Sequence, residues 1–115
     1  MKIEIPLNPM ASPRPRFSKW GTYMPAKYQD FKKLLQQHYP TFRFNSGVPI
    51  RLDTTFYIQM PKSWSNKKKN QYRGKYHIQK PDRDNLDKTI LDSMTDYFFD
   101  DDCQICSGLI QKFWA

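Results

Sequence analysis

The sequence predicts one small α+β domain, and three observations carry that expectation. Lys2–Leu7 and Ile50–Met60 alternate apolar and polar residues with the period of a strand. Two other stretches, one ahead of Pro40 and one after Pro81, repeat apolar residues at helical spacing. Finally, 115 residues leave room for a single core, and 3 Trp, 7 Tyr and 8 Phe argue that it is packed and not disordered.

Taken in order, Lys2–Leu7 reads as the opening strand, with Ile3, Ile5 and Leu7 on one face. Asn8–Tyr23 cannot continue it, because Pro9, Pro13, Pro15 and Gly21 break regular structure, and Arg14, Arg16 and Lys19 make this loop basic. Pro25 suits the first turn of a helix. Tyr28, Phe31, Leu35 and His38 or Tyr39 then form its apolar stripe up to Pro40. Ile50–Met60 is the clearest strand, ended by Pro61. Lys62–Lys75 reads as a polar loop, and Tyr76–Lys80 as a short strand. A second helix is expected from Asp84, with Asp84 as cap and Asp87 at capping-box spacing. Leu86, Ile90, Met94 and Tyr97 are its stripe, and Phe98 and Phe99 close it. Gln104–Trp114 is the last strand, with Gly108 as a bulge. The expected order is β-α-β-(β)-α-β, a mixed β-sheet with two helices in a single domain spanning residues 1–115.

The formal charge of +8 hides a segregation. Residues 1–81 hold 16 basic and 3 acidic residues, whereas residues 82–102 hold 2 basic and 8 acidic ones, all aspartate. A basic body of this kind points to a polyanionic partner, most often nucleic acid. Anionic membrane is the rival, but no amphipathic basic helix supports it. No apolar stretch approaches the roughly 20 residues that span a bilayer, and no signal-peptide region is present. Two cysteines make no disulfide framework, so a reducing cytoplasm is expected.

The aspartates fall in two groups. Asp82 and Asp84 stand at the start of the second helix, and Asp101 and Asp102 lie past its end. A helix of about 14 residues separates its ends by roughly 20 Å. Carboxylates from both ends therefore meet only if the chain doubles back after Phe99 beside the helix. A plain alternative makes Asp84 an N-cap, Asp82 a favourable charge at the helix start and Asp100–Asp102 a solvated turn. Against it, a cap needs a single acceptor oxygen whereas this pair offers more, and Lys88 follows Asp84 by one helical turn. Two carboxylates about 5 Å apart repel by roughly 3 kcal/mol at an effective dielectric near 20. Mg²⁺, or Mn²⁺ in its place, relieves that repulsion and draws a phosphodiester in. Basic body and aspartate metal site together match a metal-dependent nuclease.

The run Lys80-Pro81-Asp82-Arg83-Asp84-Asn85-Leu86-Asp87-Lys88, followed by Asp92-Ser93-Met94 and by Asp101-Asp102-Cys103-Gln104, resembles the signature of RusA-like Holliday junction resolvases. That pattern is K-P-D-x-D-N-L-x-K, a helix, then D-D-x-Q at the start of a strand. Pro13–Phe17 resembles the arm of the phage-type members. By position, the resemblance implies that Asp82, Asp84 and Asp102 bind metal, that Asp101 is either an additional ligand or a group supporting the ligands, and that Lys88 is an essential catalytic lysine. It implies a Mg²⁺-dependent endodeoxyribonuclease resolving Holliday junctions by paired hydrolysis, acting as a homodimer on four-way DNA in the cytoplasm of a bacterial or phage-infected cell. Arg14, Arg16, Lys67, Lys68, Lys69, Arg73, Lys75 and Arg83 are the candidate DNA contacts. In the family a turn and a further strand usually follow the last strand, so a sequence ending at Ala115 is expected either to be a piece of a longer chain or to lack that edge strand.

Other signals are weaker. Cys103-x-x-Cys106 has only His38 and His77 as soft partners, and an offset of three on a strand sends the two sulfurs to opposite faces. Asp82-x-Asp84 begins like a calcium loop but has Asp87 where glycine is needed and Ser93 where glutamate is needed. Leu86 stands where a restriction-type centre would carry an acid two residues before Lys88. Phe17, Trp20 and Trp64 are candidates for stacking on unpaired bases, against the commoner role of packing. The alternatives to a resolvase are a non-catalytic nucleic-acid-binding module and a nuclease for flaps or other branched DNA.

Overall fold

A computed structural model describes residues 1–115. The chain runs β1 (Arg16–Ser18), β2 (Gly21–Tyr23), α1 (Ala26–Gln36), β3 (Ile50–Arg51), β4 (Thr54–Ile58), α2 (Asn66–Tyr72), α3 (Arg83–Met94), a 3₁₀ turn at Asp102–Gln104, β5 (Ile105–Ser107) and β6 (Ile110–Trp114). The class is α+β, with antiparallel and parallel strand pairs and three helices where two were expected.

The central frame is parallel. β3 pairs with β5, and β4 pairs with β6 in the register Thr54↔Ile110 to Ile58↔Trp114. Parallel neighbours need a long crossover, and α2 and α3 lie within it. The two long strands expected at 50–60 and 104–114 are each interrupted, and the interruptions face each other. Leu52 N donates to Ser107 O (3.0 Å) and Thr54 N to Leu109 O (2.9 Å), so hydrogen bonding carries across the break. Gly108, expected as a bulge, sits here with φ +146° but in unshifted register, the irregularity of the ladder falling between Ile50 and Arg51 instead; a Cβ at Gly108 would lie 1.7 Å from the Leu52 carbonyl oxygen. Only glycine lets the two backbones come this close. Asp53 spans the break by accepting from Leu109 N (2.9 Å). That bond, with Arg51 beside it, holds the Asp53 carboxyl below its ordinary range.

α3 packs on α1 and on β6. Its Leu86, Thr89, Ser93 and Met94 are buried, small Thr and Ser allowing close approach between the helices. Leu35, Tyr39, Ile50, Met94, Phe98 and Phe99 form the core, against which Ile3, Ile5 and Leu7 pack in part. Of the two candidates for the end of the first stripe, Tyr39 is the buried one, and His38 is exposed. Two hydroxyls tie the helices: Tyr28 donates to Asp92 Oδ2 (2.7 Å), and Tyr39 shares a hydrogen bond with Ser93 Oγ (2.6 Å). Burial, reinforced by the Asp92 carboxylate, pushes the Tyr28 hydroxyl up to about 12.

Five further expectations are corrected. Lys2–Leu7 keeps its alternating burial but joins no sheet; Pro6, next to its end, removes a donor from so short a run. The loop at Asn8–Tyr23 contains an antiparallel hairpin, β1 with β2. The loop at Lys62–Lys75 contains α2: Ser65 Oγ caps it by accepting from Lys68 N (3.2 Å), and Trp64 and Tyr72 pack on Trp114. The helix expected from Asp84 starts at Arg83 and stops at Met94. Thr95 turns extended, Asp96 takes a left-handed φ of 66°, and the tight turn that follows sends Phe98 and Phe99 back into the core. Tyr76–Lys80 contributes one isolated bridge, Tyr76 to Phe113. No helix is long and apolar enough to cross a membrane.

Candidate active site

The first turn of α3 carries the acidic pair. Asp82 occupies the N-cap position in extended conformation, yet its side chain makes no capping hydrogen bond, and Asp84 lies inside the first turn. The Asp84–Asp87 capping box is therefore absent. Asp87 instead accepts from Thr54 Oγ1 (2.8 Å), and partial burial pushes its carboxyl up. Asp82 pairs with Lys80 (3.0 Å), a contact that is weak at such an exposed site. Asp82, Asp84, Asn85 and Lys88 are all exposed, and Lys88 belongs to none of the ion pairs in the chain. Asp84 and Lys88, one turn apart, share a helix face.

The turn is held from behind by long-range partners. Lys112 Nζ donates to Gln79 O (2.5 Å) and Pro81 O (2.7 Å). Arg83, expected as a DNA contact, donates to Ile110 O (3.0 Å) and so braces the helix start on β6. Ser12 N donates to Asn85 O (3.2 Å), docking the N-terminal arm at the same turn. Lys112 and Thr54 were missed in the sequence because their roles depend on partners about 30 residues away, and no local pattern announces them.

The second aspartate group is arranged differently. Asp100 accepts from Ser46 and Arg43, which hold its carboxyl below the usual range. Asp101 accepts from Cys103 N (3.0 Å), and that bond keeps its carboxyl low. Asp102 is pushed the other way, first by its hydrogen bond with Asp101, then by desolvation and by the charges of Asp101 and Asp92. Gln104 fixes the turn, donating to Asn45 O (3.3 Å) and Val48 O (3.2 Å) while accepting from Asp100 N (3.2 Å). The chain does double back after Phe99, and β6 packs on α3. Within one chain, however, no three Asp, Glu, His or Cys side chains converge as a metal-holding group. Asp102 has Asp101 and Asp92 as its acidic neighbours. Asp82 and Asp84 form a separate oxygen-donor pair, free of capping duty. Such a pair fits Mg²⁺, which characteristically takes one or two carboxylates and completes its shell with water and substrate phosphate.

Arg14 and Arg16 are exposed at the base of the hairpin, and Lys67, Lys68 and Lys69 lie on α2. Lys68 sits 4.2 Å above the Trp64 ring, and Arg73 donates to Asn70 Oδ1 (3.0 Å). Lys75 is exposed in the turn after α2. Cys103 and Cys106 are both free and exposed.

A basic α+β domain that presents exposed carboxylates beside an unpaired lysine has the parts of a phosphodiester-cleaving protein. Residues 6–115 match the family described as Endodeoxyribonuclease RusA. The chain is also similar to an uncharacterized protein, YqaN, of Bacillus subtilis (strain 168), with 31% identity over 127 aligned positions covering 100% of this chain and 88% of that protein. No solved structure matches. The chain belongs to the RusA endodeoxyribonuclease family, whose members act on branched DNA junctions.

Proposed function

We propose that this protein is a Mg²⁺-dependent Holliday junction resolvase that makes paired phosphodiester cuts as a homodimer, with Mn²⁺ able to replace Mg²⁺. The observation that carries this reading is the row Asp82, Asp84 and Lys88: three exposed charged groups at one helix start, none of them used to cap the helix. Asp82 and Asp84 would hold the ion, which when bound polarises the scissile phosphate and acidifies water. Lys88 sets a fixed positive charge where negative charge gathers on the phosphoryl oxygens. Lys112 and Arg83 keep the helix start from shifting, so the row is positioned before DNA arrives. In the family pattern Asp102 and Asp101 belong to the same donor set, although within one chain they stand apart from Asp82 and Asp84.

A junction with two-fold symmetry needs two cuts, and two copies about a C₂ axis supply them. An exposed apolar face suits that pairing: Tyr57 of β4 and Tyr76, beyond α2, stack on Phe113 of β6 with centroids 6.0 and 4.8 Å away, and Ile78 is almost fully exposed. Lys67, Lys68 and Lys69 follow the phosphate backbone. Replacing all three with Ala is expected to flatten the plot of log affinity against log salt by about 0.9 for each phosphate that these lysines neutralise. An unchanged slope between low and physiological salt would remove α2 from the interface.

The deciding experiment is cleavage of a synthetic four-way junction with mapped product ends, with and without Mg²⁺. Symmetric paired nicks that require the ion are the expected result. Faster cutting of a flap or of plain duplex would make this a different nuclease. In parallel, Mn²⁺ is expected to raise the thermal midpoint of the parent protein and not that of Asp82→Asn. A non-catalytic module whose acids serve only the helix would show no such rise.

A further inference from the structure

The β1–β2 hairpin has no structural explanation within the chain. Each of its six strand residues is exposed, and it pairs with no other strand. Phe17 and Trp20 are 83% and 87% exposed, among the highest values for large apolar side chains in the molecule. Trp64, by contrast, is packed against Trp114 and Tyr72. The hairpin is nonetheless well defined. Ser18 pairs with Gly21, leaving Lys19-Trp20 as a two-residue tip, and Ser18 Oγ accepts from Trp20 N (3.2 Å) while donating to Gly21 O (3.2 Å). The protein as a whole reflects such projections: its radius of gyration is 16.0 Å, against about 13 Å for a compact domain of similar length.

The hairpin is rooted on α3, the helix that bears the acidic row. On one side Ser12 N donates to Asn85 O, and on the other Tyr28 donates to Asp92. Ser12 and Thr89 lie beside that same Tyr28 hydroxyl, so both ends of the 13–27 segment close on one helix. Its charges are of one sign: Arg14, Arg16, Lys19 and Lys27, with no acid between Glu4 and Asp30. Lys19 Nζ sits 5.1 Å from the Trp20 ring centroid. Exposed aromatic rings interleaved with cations, and no anion nearby, form a surface complementary to nucleobases flanked by phosphates.

We propose that this hairpin binds unpaired nucleobases, Phe17 and Trp20 stacking on them while Arg16 and Lys19 take the flanking phosphates. The proposal rests on the reading of the chain as a DNA enzyme and adds where it meets bases that have lost their partners. A fully stacked duplex offers the rings nothing to stack on, so the hairpin discriminates for branch points and single strands.

The test measures binding without divalent metal, so that cleavage plays no part. Full-length parent and Phe17→Ala/Trp20→Ala proteins are titrated with a four-way junction, a single-stranded oligonucleotide and a plain duplex, each carrying 2-aminopurine. The double variant is expected to lose about tenfold or more in affinity for the single strand and the junction, and little for the duplex. Parent protein is expected to quench 2-aminopurine placed in the single strand, a readout that needs no variant. Equal losses on all three DNAs, or no quenching by the parent, would overturn the proposal. So would a double variant that sediments as a monomer where the parent is a dimer, since the hairpin would then serve a second copy of the chain. The resolvase reading fails separately, through absent Mg²⁺-dependent cutting, and leaves the single-strand result to stand on its own.

Discussion

Lys88→Ala is expected to cut a four-way junction about 10²–10³-fold more slowly than the parent, the loss seen when one preorganised charge is removed from a developing oxyanion. Junction affinity should stay close to that of the parent, because a single exposed charge contributes about 1 kcal/mol or less. Asp82→Asn should lower cleavage at least as much, by weakening the hold on the divalent ion while preserving the shape of the side chain. Neither residue carries the fold. Lys88 makes no ion pair, and Asp82 has only its exposed contact with Lys80. Both variants should therefore melt where the parent melts, so any loss of cutting reports on chemistry. The check is single-turnover cleavage at saturating enzyme beside a gel shift in Ca²⁺ or EDTA. Full Mg²⁺-dependent cleavage by either variant would remove the row from the active site.

Gly108→Ala has the largest expected effect on stability. The methyl group would lie 1.7 Å from the Leu52 carbonyl oxygen and 2.7 Å from its carbon, at a φ of +146° that side-chain-bearing residues rarely adopt. Neither obstacle is a flexible side chain that can swing away. One of the two backbones must move, breaking the Leu52–Ser107 and Thr54–Leu109 hydrogen bonds that join β3 to β5 and β4 to β6. The cost should be at least about 3 kcal/mol, which lowers the thermal midpoint by on the order of 10 °C. Gly47→Ala is the control. It also has a positive φ, +76°, but nothing lies within 4 Å of the added carbon, so its cost should be about 1–2 kcal/mol. Denaturant midpoints compare the two directly. Equal, small losses would mean that the approach at Gly108 is looser than 1.7 Å implies.

Much of the fold was legible where local pattern and tertiary context agree. The stripes Tyr28–Leu35–Tyr39 and Leu86–Met94 face the core, and the alternation from Ile50 places Ile50, Phe56 and Met60 inside. The errors have local physical causes. In α2 the signals were a capping Ser65 and a Trp64/Lys68/Tyr72 spacing, masked by a run of lysines that reads as solvated loop. In the N-terminal loop, prolines concealed a hairpin whose strands are three residues each, too short for periodicity to register.

The chemistry on offer is written in the order of residues: a basic body, an aspartate-rich segment and a lysine one turn after Asp84, in an arrangement that matches a nuclease family across residues 6–115. Charge and spacing are properties of neighbours in the chain, so they can be read without a structure. Which of these groups are free to act is settled by the packing alone. It left Asp82 and Asp84 without capping bonds, committed Asp100 to Arg43 and Arg83 to Ile110, packed Trp64 against Trp114 and left Trp20 in solvent. The reason is physical: a side chain's availability depends on whether a partner from elsewhere in the chain satisfies its charge, its hydrogen bonds or its apolar surface, and such partners are set by how distant segments come together.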